Sequence, residues 1–287
     1  MLPNLPAIIA ITRLNRPIGS LLLLWPTYWA LWLAAEGSPS LFNLIIFSLG
    51  VLVMRSAGCV ANDLADRHVD GHVKRTQARP LVTGMLSLSQ ARNLLLLLLA
   101  LALMLVLLLG PLLLLWSLPA LALAMIYPFM KRYTHLPQLV LGLAFSWAIP
   151  MAFVAQSGQM PMIAWLVFIA NALWTVAYDT QYAMVDRDDD LKIGVKSTAI
   201  LFGQADRAIV LCLQMLMLCS LLLYGLYTQL AWPYYIGLIL TLSHFTWQWH
   251  FTRNRSRERC FRAFLANNYS GLIIFTSILV SFWPSLI

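Results

Sequence analysis

Long apolar runs recur along this chain, and their length limits what it can become. We place them at 17–35, 41–61, 91–109, 112–130, 137–156, 161–181, 208–227, 231–250 and 268–286. A helix needs about 20 apolar residues to cross a hydrocarbon layer of about 30 Å. No water inside that layer satisfies an open backbone, so each run has to close its hydrogen bonds within a helix. The stretch 91–130 counts twice, because roughly 40 helical residues extend about 60 Å. Gly110-Pro111 is where that hairpin turns. The expectation is an all-α polytopic membrane protein, with nine transmembrane helices in a single domain covering 1–287. With 61% hydrophobic and 10% charged residues, the chain lacks the polar surface a soluble domain of its size needs. No basic region precedes an apolar core and cleavage site at the start, so no removable signal peptide is expected.

The connections alternate in charge. "AEGSPS", "GP", "QSGQMP" and "TQLAWP" carry no Lys or Arg. The intervening ones, "DRHVDGHVKRTQARP", "KRYTH", "DRDDDLKIGVKS" and "TRNRSRERCFR", are basic. All 19 Lys and Arg residues fall in those four connections, at helix ends or in the N-terminal segment. Positive charge stays cytoplasmic. The N-terminus is therefore expected inside and the C-terminus outside, in a bacterial-type inner membrane. The net charge of +8 reads as a topology signal, with some role in holding anionic lipid or substrate, and no nucleic-acid partner is expected. Trp25, Trp29, Trp165, Trp232 and Trp283 lie near run ends and read as interfacial rings. The cysteines show no metal-type spacing, and Cys59, Cys212 and Cys219 read as reduced core residues. His135, His244 and His250 read as interfacial.

Acid is concentrated at two points. Of 11 Asp and Glu residues, Asp63, Asp66 and Asp70 lie in "NDLADRHVD", and Asp179, Asp186, Asp188, Asp189 and Asp190 in "YDTQYAMVDRDDD". Both stretches sit at run ends on the cytoplasmic side, in or beside the long connections 62–90 and 182–207. Spacing of i, i+3, i+7 puts the first three on one helical face, and Asp186 and Asp190 share a face at i, i+4. Asp179 and Tyr182 continue that stripe toward the membrane. A single DxxD or a "DRDDD" turn is ordinarily solvated charge. Two such clusters on one membrane face, both at helical spacing, repel unless something cationic bridges them, and ionisable groups at membrane depth are usually functional.

Carboxylates without a Cys or His shell suit Mg²⁺, which binds one or two of them together with phosphate oxygens. His68 and His72 stand i, i+4 but lack a further zinc ligand. Arg67, Lys74, Arg75, Lys131, Arg132 and Lys192 are the cations near enough in sequence to complete a diphosphate shell, and Asn62 offers a neutral oxygen. A diphosphate at the membrane surface below apolar helices suggests a lipid diphosphate. If the lipid is allylic, metal binding makes diphosphate a good leaving group. The remaining cation needs a dry pocket with aromatic faces, for which Phe145, Trp147, Trp174, Tyr178 and Tyr182 are candidates.

These stretches resemble a known family. "NDLADRHVD" matches the N-D-x-x-D-R-x-x-D signature of the UbiA superfamily of membrane-embedded aromatic prenyltransferases. "YDTQYAMVDRDDD" matches its Y-D-x-x-Y-x-x-x-D-x-x-x-D signature, and "YPFMKR" its Y-x-x-x-K element at Tyr127 and Lys131. The likeness extends over "RLNRPIGSLLLLWPTYWALW", "RYTHLPQLVLG" and "DLKIGVKSTAILFG". It implies nine transmembrane helices around a central cavity open to lipid, with a cytoplasmic cap carried by 62–90 and 182–207. It implies two Mg²⁺ ions between diphosphate and the acidic motifs. Asn62, Asp63, Asp66 and Asp70 would form the first site and Asp186 and Asp190 the second, with Arg67, Lys131 and Arg132 assisting. The whole-chain likeness implies polyprenyl diphosphate and 4-hydroxybenzoate as substrates in ubiquinone biosynthesis, membrane lipid around the protein, and no obligate protein partner. Arg13 and Arg16, in the shared segment before the first run, are then candidate anchors for the acceptor's carboxylate. Tyr178 and Asp179 are further acceptor-side candidates. The acidic motifs alone leave sister enzymes with naphthoate, homogentisate or haem acceptors open. A secondary transporter would place acids nearer mid-span, and a CDP-alcohol phosphotransferase would show a different order of acids.

Overall fold

A computed structural model of the chain describes residues 4–68, 70–72 and 76–283, with the side chain of His72 outside the description. In chain order the helices are α1 (Leu5–Ile11), α2 (Ile18–Ala34), α3 (Leu41–Asp66), α4 (Leu88–Leu108), α5 (Pro111–Tyr133) and α6 (Pro137–Ser146). They continue with α7 (Ala148–Ser157), α8 (Trp165–Ile193), α9 (Thr198–Phe202), α10 (Asp206–Thr228), α11 (Trp232–Phe251) and α12 (Arg257–Ser281). Among the described residues there is no strand. Seven stretches are long and apolar enough to cross a membrane: α3, α4, α5, α6 with α7, 162–193, 198–228 and α12. α2 is apolar but has 17 residues, and α11 lies outside that set.

Local chemistry explains the boundaries. Proline opens α5, α6 and α11, where its missing N–H costs nothing. Ser40, Ser87, Ser197 and Ser256 cap α3, α4, α9 and α12 through their side chains. The start of α4 is capped by Ser87, with Gln90 closing a capping box. Gly110 turns between α4 and α5 with φ 96°.

The structure moves several expected boundaries. α3 continues through Asp66 and α8 through Ile193, so both acid-rich stretches begin as helix rather than loop. α3 meets no glycine or proline after Gly58, and α8 runs until Gly194 supplies a left-handed cap. Asp70 is not on α3 but in a 3-10 turn, Asp70–His72, so the i, i+3, i+7 face holds only for Asp63 and Asp66. α12 starts at Arg257, eleven residues before the expected 268. The expected run 137–156 is two helices broken at Trp147, because the ring of Pro150 collides with the carbonyl of Ser146.

The main core gathers α2, α7, α8, α10, α11 and α12 around Trp29, Trp174, Ile149, Met217 and Ile274. Trp29 is fully buried, stacks on Trp174 and donates to Gly271 O at 3.0 Å, so it is a packing residue and not an interfacial ring. Trp25 likewise points inward, to Asn268 Oδ1 at 2.8 Å. Trp232 and Trp283 are exposed. Cys212 and Cys219 are exposed rather than core, because they sit on the outward face of α10; Cys59 and Cys260 are buried. His244 is inside the bundle, bonded to Ser270 at 2.8 Å, and not interfacial. Buried amides link the helices in place of water: Gln248 accepts from Gln181 and Gln214, and Asn267 joins Gln181 and Trp174. A second core packs α1 and Leu86 against α3 and α4.

Candidate active site

α3 and α8 carry the acids, and their direction brings the acids together. Asn43, near the start of α3, donates to Ala155 O at the end of α7, just before α8 begins. α3 and α8 therefore start at the same side of the bundle. Asp66 lies about 38 Å along α3, and Asp186 about 32 Å along α8, at ~1.5 Å per residue. Both end beyond the thickness of a hydrocarbon core of about 30 Å, at its other rim.

There the acids share one cavity of about 760 Å³. Its lining includes Asn62, Asp63, Asp66, Asp70, Asp179, Asp186 and Asp190. The cavity follows α3 from Ile46 to Asp66, about 30 Å of helix. Away from the acids its walls are apolar residues of α4 and α5, such as Leu105, Val106, Leu114 and Leu118. A polar pole thus opens into a channel the length of a membrane leaflet pair.

The acids of the first cluster are buried and bridged by cations. Asp63 and Asp66 are each 1% exposed. Arg13 Nη2 meets both oxygens of Asp63 at 2.9 and 3.0 Å. Arg79 Nη1 lies 3.0 Å from Asp63 Oδ1 and 2.5 Å from Asp70 Oδ2. Thr76 Oγ1 donates to Asp70 O at 2.6 Å and closes the turn. Burial pushes the Asp70 carboxyl above the ordinary carboxylate value, and Arg79 opposes that shift. Lys131 Nζ pairs with Asp66 Oδ2, whereas Asp66 Oδ1 is buried with no hydrogen-bond partner.

The second cluster divides by helical face. Asp179, Tyr182, Asp186 and Asp190 line the cavity. On the other faces, Asp189 is buried against Arg257 at 2.9 Å, Asp188 reaches the same arginine at 3.4 Å, and Arg187 pairs with Asp206. Those three hold α8 to α12 and α10.

The structure separates the expected cations. Lys131 is in the cavity. Arg67 and Arg132 do not line it: Arg67 Nη1 turns back to Leu64 O at 3.0 Å, and Arg132 Nη2 caps Ala65 O at 2.6 Å. Lys192 is exposed on the outer face of α8. Lys74 and Arg75 lie outside the described residues. Arg13 and Arg16 both line the cavity, and Arg13 is ion-paired with Asp63. Tyr178 and Asp179 line the cavity beside Tyr182.

Two cations escaped the sequence reading. Arg79 was counted with the loop charges. Arg55 was counted as a helix-end residue, yet it sits in the cavity two turns before Asn62. Arg55, Cys59, Asn62 and Asp66 share one face of α3. Nη1 of Arg55 donates to Cys59 Sγ at 3.0 Å, and its Nε is buried without a partner. An arginine inside "VLVMRSAGCV" was the available signal, since intramembrane cations are rarely structural.

The residues fit a divalent cation. Among the described residues no three His, Cys, Asp or Glu side chains gather to cage a metal alone. Asp66 Oδ1 is a buried carboxylate oxygen with no hydrogen-bond partner, a hard donor of the kind a divalent cation takes.

Fold and site together define an integral membrane protein whose cavity is rich in carboxylates at one end and apolar between its helices. The model of the UbiA prenyltransferase family matches residues 23–277, and the chain belongs to that family. It is 59% identical over 271 residues to the 4-hydroxybenzoate octaprenyltransferase of Vibrio parahaemolyticus, covering 94% of this chain and 95% of the relative. It is 55% identical over 285 residues to the protein of the same name from Chromohalobacter salexigens, covering 99% and 96%. The apo structure of a UbiA homolog from Aeropyrum pernix superposes with a TM-score of 0.80 at 27% identity, covering 91% of this chain and 97% of that one. A UbiA homolog from Archaeoglobus fulgidus bound to GPP and Mg²⁺ shares the fold, with a TM-score of 0.77 at 18% identity over 96% and 99% of the chains.

Proposed function

We propose that this chain transfers a polyprenyl group from polyprenyl diphosphate to 4-hydroxybenzoate, at the ring carbon ortho to the hydroxyl, in ubiquinone biosynthesis. The carrying observation is that one cavity unites both acidic clusters, their cations and an apolar channel. Relatives at 55–59% identity that are named for this acceptor support the choice over naphthoate, homogentisate or haem.

Asn62, Asp63, Asp66, Asp70, Asp186 and Asp190 form the diphosphate pole, with Asp63, Asp66, Asp186 and Asp190 as the ligands of Mg²⁺. When bound, the ion neutralises diphosphate and makes it a good leaving group. Arg13, Arg79 and Lys131 already touch these carboxylates and are placed to donate to phosphate oxygens. The allylic C–O bond breaks with its electron pair on diphosphate. The ring carbon bonds the allylic carbon and then loses its proton. Tyr127, Phe145, Tyr182 and Phe264 line the cavity and offer aromatic faces to the allyl cation away from water. Arg55 joins Arg13 and Arg16 as a candidate anchor for the acceptor carboxylate, and we favour it because it lies deeper along α3 and its Nε is buried without a hydrogen-bond partner. Asp179, two turns up α8 from Asp186, is placed to accept the phenol proton.

In this reading nine helices cross a bacterial inner membrane, counting α6 with α7 as one. The N-terminus and the site face the cytoplasm, the C-terminus faces outward, and the described residues of 62–90 and 182–207 carry the cap. The alternating basic connections support that orientation. The test is purified protein with a polyprenyl diphosphate and 4-hydroxybenzoate, analysed by mass with Mg²⁺ or with EDTA. Prenylated acceptor only with Mg²⁺ is expected. No product with Mg²⁺, or product only from another aromatic acceptor, would overturn the assignment.

A further inference from the structure

Gly19 lies in the first turn of α2 and lines the cavity opposite α3. A Cβ at this position would stand 2.4 Å from both Nε and Nη2 of Arg55, and 2.8 Å from its Cζ. The guanidinium therefore fills the volume that any other residue at 19 would take. The backbone does not ask for glycine here, since its φ is not positive. Among the described residues the guanidinium makes one hydrogen bond, to Cys59 Sγ at 3.0 Å, and lies 6.0 Å from the Phe145 ring, both soft contacts.

We propose that Gly19 is a positioning residue for the acceptor: its bare Cα seats the Arg55 guanidinium and fixes the plane of its fork in the cavity. The proposal rests on Arg55 as the carboxylate anchor. Arginine meets a carboxylate through two parallel N–H groups, so plane and reach decide the contact. A methyl group at 19 displaces a flexible side chain rather than parting two helices. It tilts the fork and leaves the charge in place.

The experiment compares Gly19→Ala, Arg55→Lys and the double variant, with KM for 4-hydroxybenzoate and for the donor measured separately. Gly19→Ala is expected to raise acceptor KM about tenfold with donor KM unchanged. Arg55→Lys raises acceptor KM too, and adding Gly19→Ala to it changes nothing further, because Gly19 acts only through the fork. If Arg55→Lys leaves acceptor KM unchanged, the anchor reading fails and the proposal with it. If Arg55→Lys raises acceptor KM but Gly19→Ala does not, or if Gly19→Ala weakens both substrates equally, the anchor stands and Gly19 is overturned. Should Gly19→Ala alone not fold, the double variant decides. A folded double with the acceptor KM of Arg55→Lys supports the proposal, and one that misfolds or binds acceptor more weakly still contradicts it.

Discussion

Arg79 shows how much a single side chain does at the acidic pole. It lies on both Asp63 and Asp70 and ties the end of α3 to the turn beyond it. Arg79→Ala leaves two buried carboxylates without that shared cation, so donor kcat/KM is expected to fall by about 100-fold or more. Arg79→Lys is expected to recover only part, because a point charge does not replace a planar fork. Equal activity of wild type and Arg79→Ala would remove it from the site. The acids themselves were legible in the sequence, because repelling carboxylates at helical spacing ask for a cation. Of the cations that touch them, Lys131 was legible and Arg79 was not. Proximity in sequence favoured Arg67 and Lys192, whereas helix geometry turns both away and brings Arg79 back from the following connection. Arg13 shows the same effect: it takes a left-handed φ of 59°, and its side chain reaches Asp63 across fifty residues.

Among the elements, α8 carries most of the architecture. Its membrane half was readable from hydropathy, but its extension to Ile193 was not, because the charged turns look like loop until both ion-paired faces are known. The division of α6 from α7 was hidden by continuous apolarity, although Pro150 marks it. The join of α8 to α12 and α2 depends on close approach at Gly271. A Cβ there would lie 2.6 Å from Trp25 Cδ1 and 2.9 Å from a ring carbon of Trp174. Both rings are fixed by hydrogen bonds to Asn268 and Asn267. Gly271→Ala is therefore expected to destabilise by about 1–3 kcal/mol, seen as a lower melting temperature in detergent. An unchanged or raised Tm would show that the indoles yield.

At the scale of the whole molecule, the sequence supplied membrane class, the approximate runs and the side on which the acids gather. The resemblance implied a central cavity, but not which residues line it, which depends on how α3, α5 and α8 lean together. Orientation is testable directly. A C-terminal alkaline phosphatase fusion is expected to be active and a C-terminal fluorescent protein fusion dark, and the reverse pair would invert the topology. The central claim is that carboxylates from α3 and α8 hold one diphosphate between them. Its most direct measurement is Mg²⁺-dependent binding of polyprenyl diphosphate to wild type, Asp66→Asn and Asp186→Asn, each shown to be folded. Loss of that binding in both single variants is the expected result. Wild-type binding in either one would mean that the two clusters do not act on the same headgroup.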